Sequence, residues 1–164
     1  SNAMEYLIEA SNLLENNENI HFVIFGKGQH LEKLKNNAKN NVSFLGQIDK
    51  SQIQSAISFF DVCYIGWHNH SLYRFGISPN KIFDYMFAGK PIIHSVNTTN
   101  DFVEIAEAGI SIPPESPKEI ANIVIEISKI EDKKLNEWGK NGKKYVEENH
   151  TFSHLTELLI STFE

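Results

Sequence analysis

The densest set of chemically useful residues in this chain is Gly76-Ile77-Ser78-Pro79-Asn80-Lys81-Ile82-Phe83-Asp84. Ser78 has the side chain of a helix N-cap, and Pro79 suits the first helical position, where no amide proton is needed. The spacing predicts a helix that opens at Ser78-Pro79 and runs to Ala88. A helix start offers free amide protons and partial positive charge, and Lys81 in its first turn adds a full charge. That combination suits a diphosphate. Gly76, just upstream, lets backbone approach a ligand closely. Ile82, Phe83 and Met86 form the core-facing side, which leaves Asn80, Lys81 and Asp84 together on the other. A carboxylate held there can accept two hydrogen bonds from a ribose diol. A plain amphipathic helix with an ordinary cap and a Lys81–Asp84 ion pair would use the same residues.

Gly26-Lys27-Gly28 ends a strand and precedes a helix, a context in which backbone amides can cradle phosphate. Two glycines fall short of a dinucleotide fingerprint, so on its own this motif reads as a tight turn. His68 and His70 stand close together, but a solvent-facing loop pair fits them better than a pair of metal ligands. There is no Asp-x-Asp motif. The single cysteine, Cys63, lies in an apolar run and reads as a buried free thiol, which suits the cytoplasm.

Short apolar runs must position these loops. Ile20–Phe25, Val42–Gly46, Asp61–Gly66, Ile92–Ser95 and Ile110–Ile112 read as strands. Helical patterns separate them at Met4–Asn16, His30–Asn40, Ser51–Phe59, Ser78–Ala88 and Asp101–Ala108, and two or three more helices follow Pro117. Continuous apolar strands alternating with helices mean an α/β fold, a Rossmann-like parallel sheet with helices on both faces. Ligands in such sheets bind beyond the carboxyl ends of the strands, here the loops that begin at Gly26, Gly46, Gly66 and Ser95.

The chain has 164 residues, a single-domain length. Ser1-Asn2-Ala3 reads as an expression-tag remnant, with the domain spanning residues 4–164. The net charge of -6 argues against nucleic-acid binding, which needs clustered cations. No apolar run approaches the roughly 20 residues that span a bilayer.

The order and spacing of these blocks resemble the carboxy-terminal domain of retaining GT-B glycosyltransferases of family four. The blocks are Gly26-Lys27-Gly28, Val42–Gly46, Asp61-Val62, Asp84–Ile93 and Glu104–Ile110. Ser78-Pro79-Asn80-Lys81 is similar in wording to the branch that builds bacterial capsule, O-antigen and colanic-type polysaccharides. The resemblance implies that Asp84 holds the donor ribose, and that Gly76, Ile77, Ser78, Asn80 and Lys81 meet the donor diphosphate. It likewise puts Gly26 and Gly28 beside the nucleotide, with Gly46, Gln47 and Ile48 flanking the base. Gly76 stands where the family's first glutamate would be, a departure that leaves no candidate for that carboxylate. No catalytic base is named. The family works without a bound metal, so the resemblance implies no cofactor besides the nucleoside diphosphate sugar.

The resemblance further implies a glycan or lipid-linked glycan acceptor, bound by an amino-terminal domain outside this sequence. A cytoplasmic site is expected, with peripheral association at the inner membrane face. The fragment alone should bind donor weakly and catalyse nothing. In the doubly wound order 3-2-1-4-5-6, the first strand would precede Met4 and lie between Ile20–Phe25 and Asp61–Gly66. Its slot is expected to be filled by direct pairing of those two strands, by a neighbouring molecule, or by a refolded terminus such as Leu158-Leu159-Ile160. A nucleotide-sugar epimerase of the same architecture and a flavodoxin-like binding module stay open as alternatives.

Overall fold

A computed structural model describes residues 2–163; Ser1 of the tag-like start and Glu164 lie outside the described residues. Five short strands alternate with helices: α1 (Met4–Leu13), β1 (Phe22–Phe25), α2 (Leu31–Asn37), β2 (Val42–Gly46), α3 (Ile53–Ser58) and β3 (Cys63–Gly66). Then come α4 (Asn80–Phe87), β4 (Ile92–Ser95), α5 (Phe102–Ile105), β5 (Gly109–Ile112), α6 (Pro117–Ile127), α7 (Asp132–Asn149) and α8 (Phe152–Ser161). Every strand pairing is parallel. The fold is α/β and Rossmann-like, as its alternating apolar runs predict.

β4 explains why its sequence does not alternate polar with apolar. All four of its residues are buried. Ile93 faces an apolar cluster built with Leu7 and Ala10 of α1 and with Ile120 and Ile123 of α6. Ile92 faces the other cluster, with Ile57 of α3, Ile82 and Met86 of α4, Val103 of α5 and Val146 of α7. Successive side chains of a strand point to opposite faces, and here each face has a helical layer to bury against.

The strands form two sheets, β1-β2 and β3-β4-β5, with no ladder between β1 and β3. The expected direct pairing of these two strands is therefore not made, and the carboxy-terminal apolar segment is helical in α8 instead of inserted. Side chains meet at the seam. The rings of Phe25 and Phe60 stand 5.8 Å apart, and Phe22, Val62 and Tyr64 pack on the α1–α6 cluster.

Helix α7 comes unusually close to the end of α4. A Cβ on Gly139 would collide with the carbonyl of Gly89, and one on Gly142 would press on Ala108 at 3.0 Å and Met86 at 3.1 Å. Gly89 itself has φ +68, the left-handed turn that ends α4 and releases the chain toward β4.

Candidate functional site

The site is built on the long loop between β3 and α4. Its first residue, Trp67, continues the ladder by donating its backbone N–H to Ser95 O at 3.0 Å. A 3-10 turn at Ser71–Phe75 follows, started by His70, whose ring accepts the Leu72 N–H at 3.2 Å. Gly76, at φ 103, closes the turn by donating to Tyr73 O at 2.9 Å. A side chain there would be strained, and its Cβ would stand 3.1 Å from the Asn100 amide.

The β4–α5 loop grips this segment from one side. Asn100 Oδ1 accepts the Ile77 N–H at 2.8 Å, while its Nδ2 donates to Ile77 O at 2.8 Å. The Thr98 hydroxyl lies 2.9 Å from both Tyr73 O and Asn100 Oδ1, and Thr99 donates to Arg74 O at 3.1 Å. These contacts hold the chain ahead of α4 outside the helix, and Pro79 is extended, which shifts the helix start. Pro79, at φ -84 and ψ 124, is the N-cap residue, and no side chain caps the helix. Ser78 is thus exposed and outside α4, not its cap, and Pro79 is not its first residue.

The amides expected to meet a diphosphate divide accordingly. Those of Gly76 and Ile77 are already satisfied, by Tyr73 and Asn100. Those of Ser78, Asn80 and Lys81 have no partner among the described residues, while Ile82 N–H bonds back to Pro79 O at 3.1 Å. Three open donors at the end of an eight-residue helix carry its positive pole.

Asn80, Lys81 and Asp84 are all exposed on α4, while Ile82 and Met86 are wholly buried beneath. Phe83 stacks on His150 at 4.2 Å between ring centres. Among the described residues no ion pair joins Lys81 to Asp84. Partial burial lowers the Lys81 pKa and raises that of Asp84, each disfavouring the charge. Neither charge has an ion-pair partner among the described residues, and both stand on one helix face. Gln54 of α3 braces that helix with an Nε2 bond of 3.2 Å to Asp84 O.

Gly26 and Gly46 come together where β1 and β2 end. Gly26 N–H donates to Gly46 O at 2.7 Å, with φ values of 137 and 74 that favour glycine. The Cβ positions of Gly26, Gly28 and Gly46 all face open space. Gln47 is exposed and Ile48 half-buried beside them. This pair of loops makes no direct hydrogen bond to the α4 start among the described residues.

His68 and His70 do not converge. His68 lies 3.1 Å from Glu115 and 3.4 Å from Glu5, whereas His70 serves the 3-10 turn. No group of three metal-ligating side chains occurs among the described residues. Cys63 is buried, and desolvation pushes its thiol pKa up to about 12, which leaves it inert.

Sequence reasoning missed the residues beneath the loop. His94 is fully buried on β4, with Nδ1 2.8 Å from Asp101 Oδ1 and Nε2 accepting the Trp67 indole N–H at 3.1 Å. Asp101 also caps α5 by accepting the Val103 N–H at 2.9 Å. Burial alone would raise the Asp101 carboxyl, but the hydrogen bonds it accepts, chiefly from His94 and also from the Val103 N–H, hold the pKa below its ordinary value. Asn100-Asp101 before an apolar run was a readable cap signal for α5. Nothing local marked it as the support of another loop.

Compared with solved structures, the chain is similar to Anabaena Alr3699/HepE in complex with UDP-glucose, with a TM-score of 0.76 at 16% identity. The match covers 99% of this chain and 45% of that one. Sucrose-phosphate synthase from Thermosynechococcus elongatus matches with a TM-score of 0.74 at 21% identity, covering 99% and 42% of the two chains. The carboxy-terminal domain of a glycosyl transferase group 1 family protein, LpcC, from Francisella tularensis matches with a TM-score of 0.71 at 18% identity, covering 92% and 80%. The chain thus spans less than half the length of the first two and most of the third. Compared by sequence with curated proteins, it has no match. The family profile for glycosyl transferases group 1 matches residues 1–129, through the site and all five strands. The chain belongs to the group 1 glycosyl transferases.

Proposed function

We propose that this chain is the donor-binding half of an enzyme that moves a sugar from a nucleoside diphosphate sugar to a glycan or lipid-linked glycan. The observation that carries the reading is the α4 start. Three open amides and Lys81 offer positive potential for a diphosphate, and an unpaired, partly desolvated Asp84 one turn further offers two acceptor oxygens for a ribose diol. Ser78, Asn80 and Lys81 supply the direct diphosphate contacts; Gly76 and Ile77 shape the approach. Gly26 and Gly28 border the nucleotide, and Gly46, Gln47 and Ile48 flank the base.

In this reading, transfer proceeds with retention at the anomeric carbon, as in family four of these enzymes. Breaking the bond between sugar and diphosphate puts negative charge on the departing phosphate oxygens. Fixed dipoles and an ammonium already aimed there lower the barrier without reorganising. Neutralisation by a helix terminus and lysine leaves no task for a metal. The acceptor binds on a separate amino-terminal domain, and the product belongs to bacterial surface polysaccharide. The work is done in the cytoplasm, at the inner membrane face where a lipid-linked acceptor resides.

A titration of this chain with UDP and GDP, followed by amide chemical shifts, tests the donor site. Shifts confined to Ser78–Lys81, Asp84 and the Gly26–Gly28 and Gly46–Ile48 loops are expected. A response elsewhere, or none with either nucleotide, would refute it. A donor screen on the complete gene product tests the transfer.

A further inference from the structure

Beneath the donor loop runs a buried polar relay, Asp101–His94–Trp67, that the chemistry of transfer does not need. Its geometry fixes one protonation state. An indole N–H can only donate, so His94 Nε2, 3.1 Å from it, must offer a lone pair. The ring proton then resides on Nδ1 and is donated to Asp101 Oδ1 at 2.8 Å.

Both arms of the relay end at the same place. On one side Trp67 meets Tyr73 edge-on at 5.5 Å, and Tyr73 O receives the Gly76 N–H. On the other side Asp101 follows Asn100, whose amide pairs with both polar groups of the Ile77 backbone. Gly76 and Ile77 are the last residues before the open amides of Ser78, Asn80 and Lys81.

The relay is costly. His94 and Asp101 occupy a strand and a helix cap whose chain neighbours Ile92, Ile93 and Val103 are buried, and apolar side chains of similar volume there would pack without desolvating a carboxylate. A buried polar set that is fully hydrogen-bonded fixes one arrangement where apolar packing would allow several. We propose that His94 is a positioning residue for donor binding, held as the neutral Nδ1–H tautomer between Asp101 and Trp67, and that it sets the path of the loop into α4. The inference rests on the donor-site reading of the α4 start.

The test uses the 164-residue chain, labelled for NMR and titrated with UDP. In the unsubstituted chain, ring nitrogen shifts should report a bare Nε2 and a protonated Nδ1 at His94. His94→Leu removes both arms; His94→Gln can still present an oxygen near the Nε2 position to Trp67. His94→Leu should shift the Gly76 and Ile77 amides and weaken UDP binding about tenfold or more, the scale of a misplaced binding loop. His94→Gln should recover most of that loss and restore the Trp67 indole resonance. Should His94→Leu fail to fold, Trp67→Phe cuts the indole donor while keeping a ring on Tyr73, and the same loop shifts and weaker binding are expected.

A proton on Nε2 overturns the proposal. So does a folded His94→Leu or Trp67→Phe chain whose Gly76 and Ile77 amides and UDP affinity match the unsubstituted chain. Absence of any UDP response in the unsubstituted chain overturns the donor reading as well. A UDP response that survives loss of the relay overturns this inference alone.

Discussion

Asn100 pairs with Ile77 as a neighbouring strand would, its side-chain oxygen taking the Ile77 N–H and its nitrogen reaching the Ile77 carbonyl, both at 2.8 Å. One side chain thus satisfies both polar groups of the Ile77 backbone on the threshold of α4. Asn100→Ala leaves a half-buried amide and carbonyl to weak hydration, so a loss of about 1–2 kcal/mol in urea unfolding is expected. Asn100→Asp keeps the acceptor, loses the donor and should fall between the two. An alanine variant as stable as the parent would mean the pairing contributes nothing.

Asp84 separates binding from stability. Burial raises its carboxyl pKa and no cation pairs with it among the described residues, so the folded chain gains nothing from its charge. Asp84→Ala should unfold no more easily than the parent, yet bind UDP or GDP about 1–3 kcal/mol more weakly, the cost of charge-assisted hydrogen bonds to the ribose. Calorimetry on the full-length enzyme, beside thermal unfolding of the chain, measures both. Unchanged nucleotide affinity would remove Asp84 from the site.

Acid should find Asp101. Its folded pKa lies below the ordinary 3.8, so its ionised form contributes stability above that value and loses it as pH falls through the lower, folded pKa. The advantage of the parent over Asp101→Asn should therefore be constant near neutrality and shrink below 3.8. Urea unfolding of both proteins from about pH 7 down to about pH 3 tests the sign. An advantage that does not diminish in acid would contradict it.

The seam between the sheets should be visible in hydrogen exchange. The amides of Cys63 on β3 and of Trp67 just after it donate to Pro91 and Ser95 on the β4 side. Alternate amides of a parallel strand point the other way, so Tyr64 and Gly66 aim at the seam, where no backbone partner occurs among the described residues. Their exchange should exceed that of Cys63 by about tenfold or more. Equal protection would reveal that a second molecule covers the edge.

Much of this arrangement was legible along the chain, and the failures share one cause. β2 and β4 run from Val42 to Gly46 and from Ile92 to Ser95 as the apolar runs indicate, because Gly46 and the Lys90-Pro91 turn punctuate them. Ile20 and His21 fall outside β1, and Asp61 and Val62 outside β3, where partners for the ladder end before the apolar pattern does. The 3-10 turn at Ser71–Phe75 carries no apolar period and left no trace. The helix starts at Asn80 instead of Ser78-Pro79, where Asn100, distant in sequence, takes both backbone polar groups of Ile77 out of the helix. Local rules see Ser-Pro; they do not see the side chain that outbids the cap. The same blindness hid His94, whose neighbours Trp67 and Asp101 come from separate loops.

The glycine contacts of α7 decide which part of the site can give way. With Gly139 against the Gly89 carbonyl and Gly142 against Met86, no layer of side chains separates α7 from the end of α4, and packing this tight has no slack to absorb sliding. Helix α4 is therefore an anvil: its amide-bearing end stays fixed relative to α7 and the β4 turn. The stretch from Trp67 to Pro79 is held by hydrogen bonds with Asn100, Thr98, Thr99 and His94 instead of by backbone-to-backbone packing, so it has more room to adjust than α4. Any rearrangement at this site falls to that loop or to rotation of the whole unit as one piece, and a residue larger than glycine at 139 would tilt the anvil itself.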